Sequence, residues 1–120
     1  MNIEKNRVKE YLDLVGVNEP NKVLIIYLDG CQSCLSQHQE LISKIVYRDD
    51  YKLVLVAKSP KKAKIIFGDT ILKNAFFDSD LIALDYGLVT GFPMVYKFDE
   101  LYNYIGATEI EYGSNFIDSL

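Results

Sequence analysis

Two cysteines separated by two residues, Cys31 and Cys34, are the side chains of this sequence best suited to chemistry. They lie between an unbroken apolar run, Val23–Leu28, and a stretch with helical periodicity that starts at Leu35. A helix N-terminus has unpaired backbone N–H groups and the positive end of the helix dipole, and both stabilise a thiolate. We therefore expect Cys31 to be a reactive nucleophile at neutral pH.

The spacing of the pair gives the second cysteine a different role. Cys34 follows Cys31 by about one helical turn, so its sulfur can reach that of Cys31 while being more buried. Cys31 would attack a substrate disulfide, a mixed disulfide would form, and Cys34 would resolve it. The pattern predicts a thiol–disulfide oxidoreductase that needs no cofactor, because the electrons pass between a protein disulfide or dithiol substrate and a redox partner protein.

Two other interpretations of the cysteines stay open. With His38 they could form part of a zinc site, but the chain then offers at most three soft ligands, and we predict no metal. His38 is better explained as a partly buried residue of a helix face. The cysteines could also be inert core residues, although Gly30 before them and Gln32-Ser33 between them favour an exposed turn.

A second segment of interest, Gly91-Phe92-Pro93, follows about sixty residues later, just before a predicted strand. A proline in this position is usually an edge or turn residue. In the cis form it would instead fix the preceding carbonyl and N–H at an angle suited to pairing with a bound peptide. The residues alone do not decide between these forms.

The elements that would position both segments alternate along the chain. Helices are predicted at Arg7–Val15, from Leu35 to about Val46, at Lys61–Phe67, at Leu81–Tyr86 and at Ile110–Leu120. Strands are predicted at Val23–Leu28, Leu53–Ala57, Met94–Phe98 and Leu101–Ile105, with Ala75–Phe77 as a candidate short strand. The last two full strands form a hairpin around Asp99-Glu100. Helices and strands that alternate in the first part of the chain, followed by a hairpin, predict a mixed sheet with helices on both faces.

Taken together, the strand Val23–Leu28, the Cys31–Cys34 motif and the segment Asp85–Tyr96 resemble the thioredoxin superfamily over nearly the whole chain. The resemblance implies one thioredoxin-like domain over residues 1–120, with a three-layer α/β/α architecture and a mixed central sheet. It implies Cys31 as nucleophile, Cys34 as resolving thiol and Pro93 as a cis-proline. The residues that it implies for substrate binding are Gly30, Gln32, Ser33, Phe92 and Pro93.

The sequence departs from that family at four points. Gly30 replaces the usual aromatic residue before the first cysteine, Gln32-Ser33 replaces Gly-Pro, and Met94 replaces the common threonine after the proline. The buried acid that assists proton transfer in thioredoxins falls on Ile25. The chain is therefore more similar to the diverse thioredoxin-like oxidoreductases, and we expect a slow or partner-limited resolving step.

Composition limits the partners. A chain of 120 residues with a net charge of −4 is suited to one domain and poorly suited to binding nucleic acid by charge. The four lysines within Lys58–Lys64 are interpreted as a solvated helix face. No apolar run is long enough to span a membrane, and a monomer is expected. The chain as given would be cytoplasmic, or extracytoplasmic if a leader has been removed.

A function of a different class remains as the alternative. The chain could be a non-catalytic thioredoxin-like module that binds a partner protein, with structural or vestigial cysteines. The missing buried acid favours this alternative, whereas the presence of both cysteines and of the Gly-Phe-Pro segment favours the enzyme.

Overall fold

Five strands form a single sheet in the computed structural model, which describes residues 3–30 and 32–113. The strands are β1 (Lys22–Tyr27), β2 (Tyr51–Val56), β3 (Ala75–Asp78), β4 (Met94–Phe98) and β5 (Tyr104–Glu109). Their order across the sheet is β3-β2-β1-β4-β5. β1, β2 and β3 are parallel, whereas β4 is antiparallel to β1 and β5 is antiparallel to β4.

Five α-helices are described around this sheet: α1 (Ile3–Val15), α2 (Leu35–Ile45), α3 (Pro60–Phe67), α4 (Asp69–Lys73) and α5 (Ile82–Asp85). A short 3₁₀ helix, Gln32–Cys34, leads into α2. The start of α3 follows its sequence signal, since Ser59 accepts a hydrogen bond from the backbone N–H of Lys62 and Pro60 is the first helical residue.

The strands are apolar on both faces because both faces of the sheet are covered. Alternate residues of β1 divide between two core clusters, with Leu24 and Ile26 in one and Val23 and Ile25 in the other. The first cluster takes side chains from α2 and α3, and the second takes side chains from α1 and α5. The predicted three-layer α/β/α architecture with a mixed central sheet is confirmed. That one domain spans residues 1–120 stays a prediction.

The second strand of the hairpin was placed wrongly by the sequence pattern. β5 begins at Tyr104 rather than at Leu101, and a loop replaces the expected tight turn. The carboxylate of Asp99 accepts the backbone N–H groups of Leu101 and Asn103, and Tyr102 takes a left-handed conformation with φ 64°. These hydrogen bonds pair the backbone N–H groups of the loop, so the strand begins later in the chain.

The predicted C-terminal helix, Ile110–Leu120, is not helical over residues 110–113, and its remainder lies outside the described residues. The unassigned stretch Thr70–Asn74 is largely the short helix α4. None of the described helices is both long enough and apolar enough to cross a membrane.

Candidate functional site at the carboxyl end of β1

The two segments singled out in the sequence meet at the carboxyl end of β1. An ideal Cβ added to Gly30 would lie 3.3 Å from the Cα of Gly91 and 3.3 Å from the carbonyl oxygen of Thr90. One added to Gly91 would lie 3.4 Å from the carbonyl oxygen of Gly30. The backbone immediately before the first cysteine therefore packs against the backbone that leads into Phe92-Pro93.

The same geometry explains why position 30 is a glycine in this chain. A Cβ there would also come within 2.9 Å of Cδ2 of Tyr27, closer than non-bonded carbon atoms approach. The ring of Tyr27 and the backbone at residues 90–91 together leave no room for the aromatic side chain that the thioredoxin resemblance leads one to expect. Glycine at position 30 thus permits the close approach of the two segments.

Cys34 is the cysteine whose environment the structure describes. It is the last residue of the 3₁₀ helix and the N-cap position of α2, and it is 7% exposed. Ser33 is exposed. Cys31 and the side chain of Gln32 lie outside the described part of the chain, so their predicted roles stay predictions.

Phe92 and Pro93 differ in exposure. The side chain of Phe92 is 37% exposed, whereas Pro93 is buried. The backbone N–H of Phe92 donates to Oγ1 of Thr90 at 3.3 Å, and that hydroxyl donates to Oε2 of Glu109 at 2.7 Å. In this arrangement the Phe92 N–H is occupied by Thr90, so a peptide pairing with it would have to displace that bond.

The cis form implied for Pro93 is wrong for this structure. No cis peptide bond occurs within residues 3–30 and 32–113, so the Phe92–Pro93 bond is trans. The trans form is favoured intrinsically by about 0.5–1 kcal/mol for bonds to proline. The carbonyl of Pro93 also accepts the N–H of Ile110 at 2.8 Å, which ties this segment to the chain that follows β5.

His38 lies one helical turn beyond Cys34 and is more deeply buried than its sequence pattern predicts. It is 1% exposed rather than partly buried. Its Nδ1 is 2.5 Å from the hydroxyl oxygen of Tyr112, and its Nε2 is buried without a hydrogen-bond partner among the described residues. Burial lowers the pKa of His38 from 6.5 to about 4, so the ring is neutral at pH 7.

Tyr112 connects this histidine to the second segment. Its ring centroid lies 5.3 Å from that of His38 and 6.3 Å from that of Phe92, the latter pair packing edge to face. Burial raises the pKa of Tyr112, so its hydroxyl keeps its proton at neutral pH. Three aromatic rings from three separate parts of the chain thus pack together, with Tyr112 between His38 and Phe92.

Sequence reasoning missed Tyr112, Thr90 and Glu109 as parts of this site. Tyr112 fell within the predicted C-terminal helix, and no local pattern links it to His38, which is 74 residues away. For Thr90 and Glu109 the signal would have been the pairing of β4 with β5, but the predicted second hairpin strand, Leu101–Ile105, ends before Glu109.

The rim of the site carries one ion pair, between Asp29 Oδ1 and Lys62 Nζ at 3.2 Å. The lysines at positions 58, 61, 62 and 64 are all exposed, and Lys64 also pairs with Asp69, which agrees with a solvated helix face. Within the described residues no group of three or more His, Cys, Asp or Glu side chains is arranged to hold a metal ion.

Comparisons of the chain with models of protein families and with curated protein sequences return no match. Among solved structures, the chain is similar to the crystal structure of a peroxiredoxin-like protein from Aquifex aeolicus, with 16% sequence identity and a TM-score of 0.48. The similarity covers 78% of this chain and 63% of that one, so the chain spans less than two thirds of its neighbour's length. At this level of similarity no residue role or activity is transferred.

Proposed function

We propose that this protein is a thiol–disulfide oxidoreductase that exchanges protein disulfides through Cys31 and Cys34. The observation that supports the proposal is the contact between Gly30 and Gly91, which are the residue before the cysteine motif and the residue before Phe92-Pro93. The two segments lie about sixty residues apart in sequence, and the sequence of each one separately indicates a role in the site.

The environment of Cys34 supports its role as the resolving thiol. At 7% exposure its sulfur is poorly placed to meet the disulfide of an incoming protein, so the first attack falls to Cys31. Cys31 would form a mixed disulfide with one substrate sulfur and release the other as a thiolate. Cys34 would then attack Cys31, which forms the intramolecular disulfide and releases the reduced substrate.

The surface beside the motif suits a protein substrate. Phe92 and Leu35 are exposed by 37% and 38%; Phe92 lies within one candidate segment and Leu35 directly follows the other. Exposed apolar side chains beside a reactive sulfur would contact the chain around a substrate disulfide. We propose Gly30, Gln32, Ser33, Phe92 and Pro93 as the substrate-binding residues.

The test uses insulin as the disulfide substrate and compares Cys31→Ser with Cys34→Ser. We expect Cys31→Ser to abolish exchange and Cys34→Ser to accumulate a mixed disulfide with an insulin chain, detected as an added mass that a reductant removes. Exchange by Cys31→Ser at the rate of the unmodified protein would contradict the proposal.

The same exposed apolar pair favours a second candidate, a binding module in which the cysteines are structural or vestigial. In that case Phe92→Ala and Leu35→Ala would weaken partner binding, while replacement of both cysteines would leave it unchanged. The insulin assay separates the two candidates, because the binding module would show no exchange in the unmodified protein.

A further inference from the structure

His38 has a buried nitrogen that nothing in the described structure uses. Its Nε2 has no hydrogen-bond partner among residues 3–30 and 32–113, although the side chain is only 1% exposed. Leaving a buried polar atom unpaired costs about 1–3 kcal/mol, and such atoms are uncommon in native proteins. A nitrogen buried in this way indicates a hydrogen-bond partner that is a charged group, or a group that is present only in another state of the protein.

The position of His38 in α2 points to Cys34 as that partner. Cys34 is the N-cap residue of α2, and His38 follows it by four residues, so the two lie on the same face of the helix. Long side chains in a helix lean back towards its N-terminus, which directs the imidazole of His38 over the turn that begins at Cys34. Both residues are buried.

Tyr112 decides which ring nitrogen of His38 carries the proton. A phenol is a better hydrogen-bond donor than an imidazole N–H, and an imidazole nitrogen is a better acceptor than a phenol oxygen. The 2.5 Å contact is therefore assigned as the Tyr112 hydroxyl donating to Nδ1. The proton of the neutral ring is then on Nε2, and the unpartnered atom is a hydrogen-bond donor.

We propose that His38 is a positioning residue for the resolving thiol, with its Nε2–H, oriented by Tyr112, stabilising the thiolate of Cys34. This inference rests on the proposed function. In thioredoxins a buried acid supports the resolving thiol, and the position of that acid is occupied here by Ile25 in the apolar core. The inference assigns this supporting role to the His38–Tyr112 pair instead.

The chemical step begins from the mixed disulfide between Cys31 and a substrate sulfur. The thiol of Cys34 loses its proton to solvent, and the thiolate accepts a hydrogen bond from Nε2 of His38. Its electron pair forms the bond to the sulfur of Cys31, while the bond from Cys31 to the substrate sulfur breaks. The substrate leaves as a thiolate with that electron pair, so the substrate is reduced and the cysteine pair is oxidised.

Among residues 3–30 and 32–113, no charged side chain is hydrogen-bonded to His38. Tyr112, on the segment after β5, is its hydrogen-bond partner there, and Cys34 precedes it by four residues on its own helix. The sheet beneath α2 presents apolar side chains, and burial is the cause of the lowered pKa of His38. A change in the pH dependence of resolution on replacing His38 would therefore report on the thiolate of Cys34.

The experiment mixes the reduced full-length protein with a small excess of dithiobis-nitrobenzoate and follows the release of the coloured thiolate. The first equivalent is released when Cys31 attacks, and the second when Cys34 resolves the mixed disulfide. His38→Phe keeps an aromatic ring against Tyr112 but has no N–H. His38→Gln restores a side-chain N–H, and Cys34→Ser defines the trace that lacks the second release.

We expect His38→Phe to leave the first release within about twofold of the unmodified protein and to slow the second by at least about tenfold at pH 7. The pH midpoint of the second release should rise by about one unit. His38→Gln should recover part of the rate, and Tyr112→Phe should fall between the unmodified protein and His38→Phe. Far-ultraviolet circular dichroism checks that each variant is folded.

An unchanged rate and pH midpoint of the second release in His38→Phe and His38→Gln would overturn the inference and leave the proposed function intact. Absence of the first release in the unmodified protein would instead overturn the proposed function, and the inference with it. The order of the two releases thus separates the two failures.

Discussion

Asp78 and His38 are both 1% exposed. Asp78 ends β3 and is bonded to α1 and α5, which cover one face of the sheet, whereas His38 lies in α2, which covers the other face. The carboxylate of Asp78 accepts three hydrogen bonds, from the hydroxyl of Tyr11 and from the backbone N–H groups of Ile82 and Ala83. His38 has one bond, through Nδ1 to Tyr112, and its Nε2 has none among the described residues.

The contrast is between a buried polar group that has three hydrogen bonds and one that has an unused nitrogen. Asp78 accepts the backbone N–H groups of Ile82 and Ala83 at the start of α5, and its bond to Tyr11 holds α1 against the end of β3. Burial and Asp78 raise the pKa of Tyr11, which keeps its hydroxyl as the donor. The bonds of His38 are incomplete, so its replacement should affect chemistry more than stability.

The largest expected effect tests this contrast through stability. Asp78→Ala leaves two buried donors and one part-buried donor without an acceptor and should lower the free energy of unfolding by at least about 3 kcal/mol. His38→Phe removes an unpaired polar atom and should change it by no more than about 1 kcal/mol at pH 7. Urea denaturation measures both, and similar losses in the two variants would remove the distinction.

The pH dependence of stability tests the burial of His38. Its pKa is about 4 in the folded protein and 6.5 as a free side chain, so the unfolded chain takes up the proton first. The corresponding stability is complete above pH 6.5 and is lost as the pH falls towards 4, up to about 3 kcal/mol. His38→Phe should not show this loss of stability at low pH. The pH dependence that comes from the carboxylates is the same in both proteins. Parallel stability curves for the two would contradict the assignment.

The contact between Gly30 and Gly91 can be tested with a single methyl group. Gly30→Ala places a Cβ against Tyr27 and the backbone of residues 90–91, and should cost about 1–3 kcal/mol. It should also slow thiol exchange, because the added methyl group pushes the two segments apart. Gly106→Ala in β5 is the matched control, since a Cβ there has no atom within 4 Å. Equal effects of the two substitutions on exchange would exclude the contact as a feature of the site.

The smallest expected effect comes from removing one hydroxyl in each region. Tyr11→Phe deprives Asp78 of one of its three donors and should lower stability by about 1 kcal/mol, with no change in thiol exchange. Tyr112→Phe should change stability less, because Tyr112 is only half-buried, but should slow the resolving step. The comparison would be contradicted if Tyr11→Phe slowed thiol exchange while Tyr112→Phe lowered stability without slowing the resolving step.

Much of the fold could be predicted from sequence because its signals are local. The apolar runs of β1 and β2 indicate strands covered on both faces, and the Ser59-Pro60 pair marks the start of α3. The second hairpin strand could not be placed, since Tyr102 adopts φ 64°, a conformation that its residue type does not indicate. Apolar pattern alone therefore began that strand at Leu101, three residues early.

The site was predictable only where its residues lie within one motif. The cysteine pair at a helix start and the Gly-Phe-Pro segment are visible in the sequence, and the structure brings their flanking glycines together. The pairing of His38 with Tyr112 depends on where the chain after β5 returns over α2, and the trans bond at Pro93 depends on its surroundings. Neither carries a sequence signal.

The central claim is that Cys31 and Cys34 form a working redox couple, and a titration tests it most directly. The protein is equilibrated in glutathione buffers of graded ratio, quenched with an alkylating agent and analysed by mass. We predict interconversion of dithiol and disulfide with a midpoint between about −270 and −120 mV. Failure to form the intramolecular disulfide, or its persistence below about −300 mV, would contradict the account.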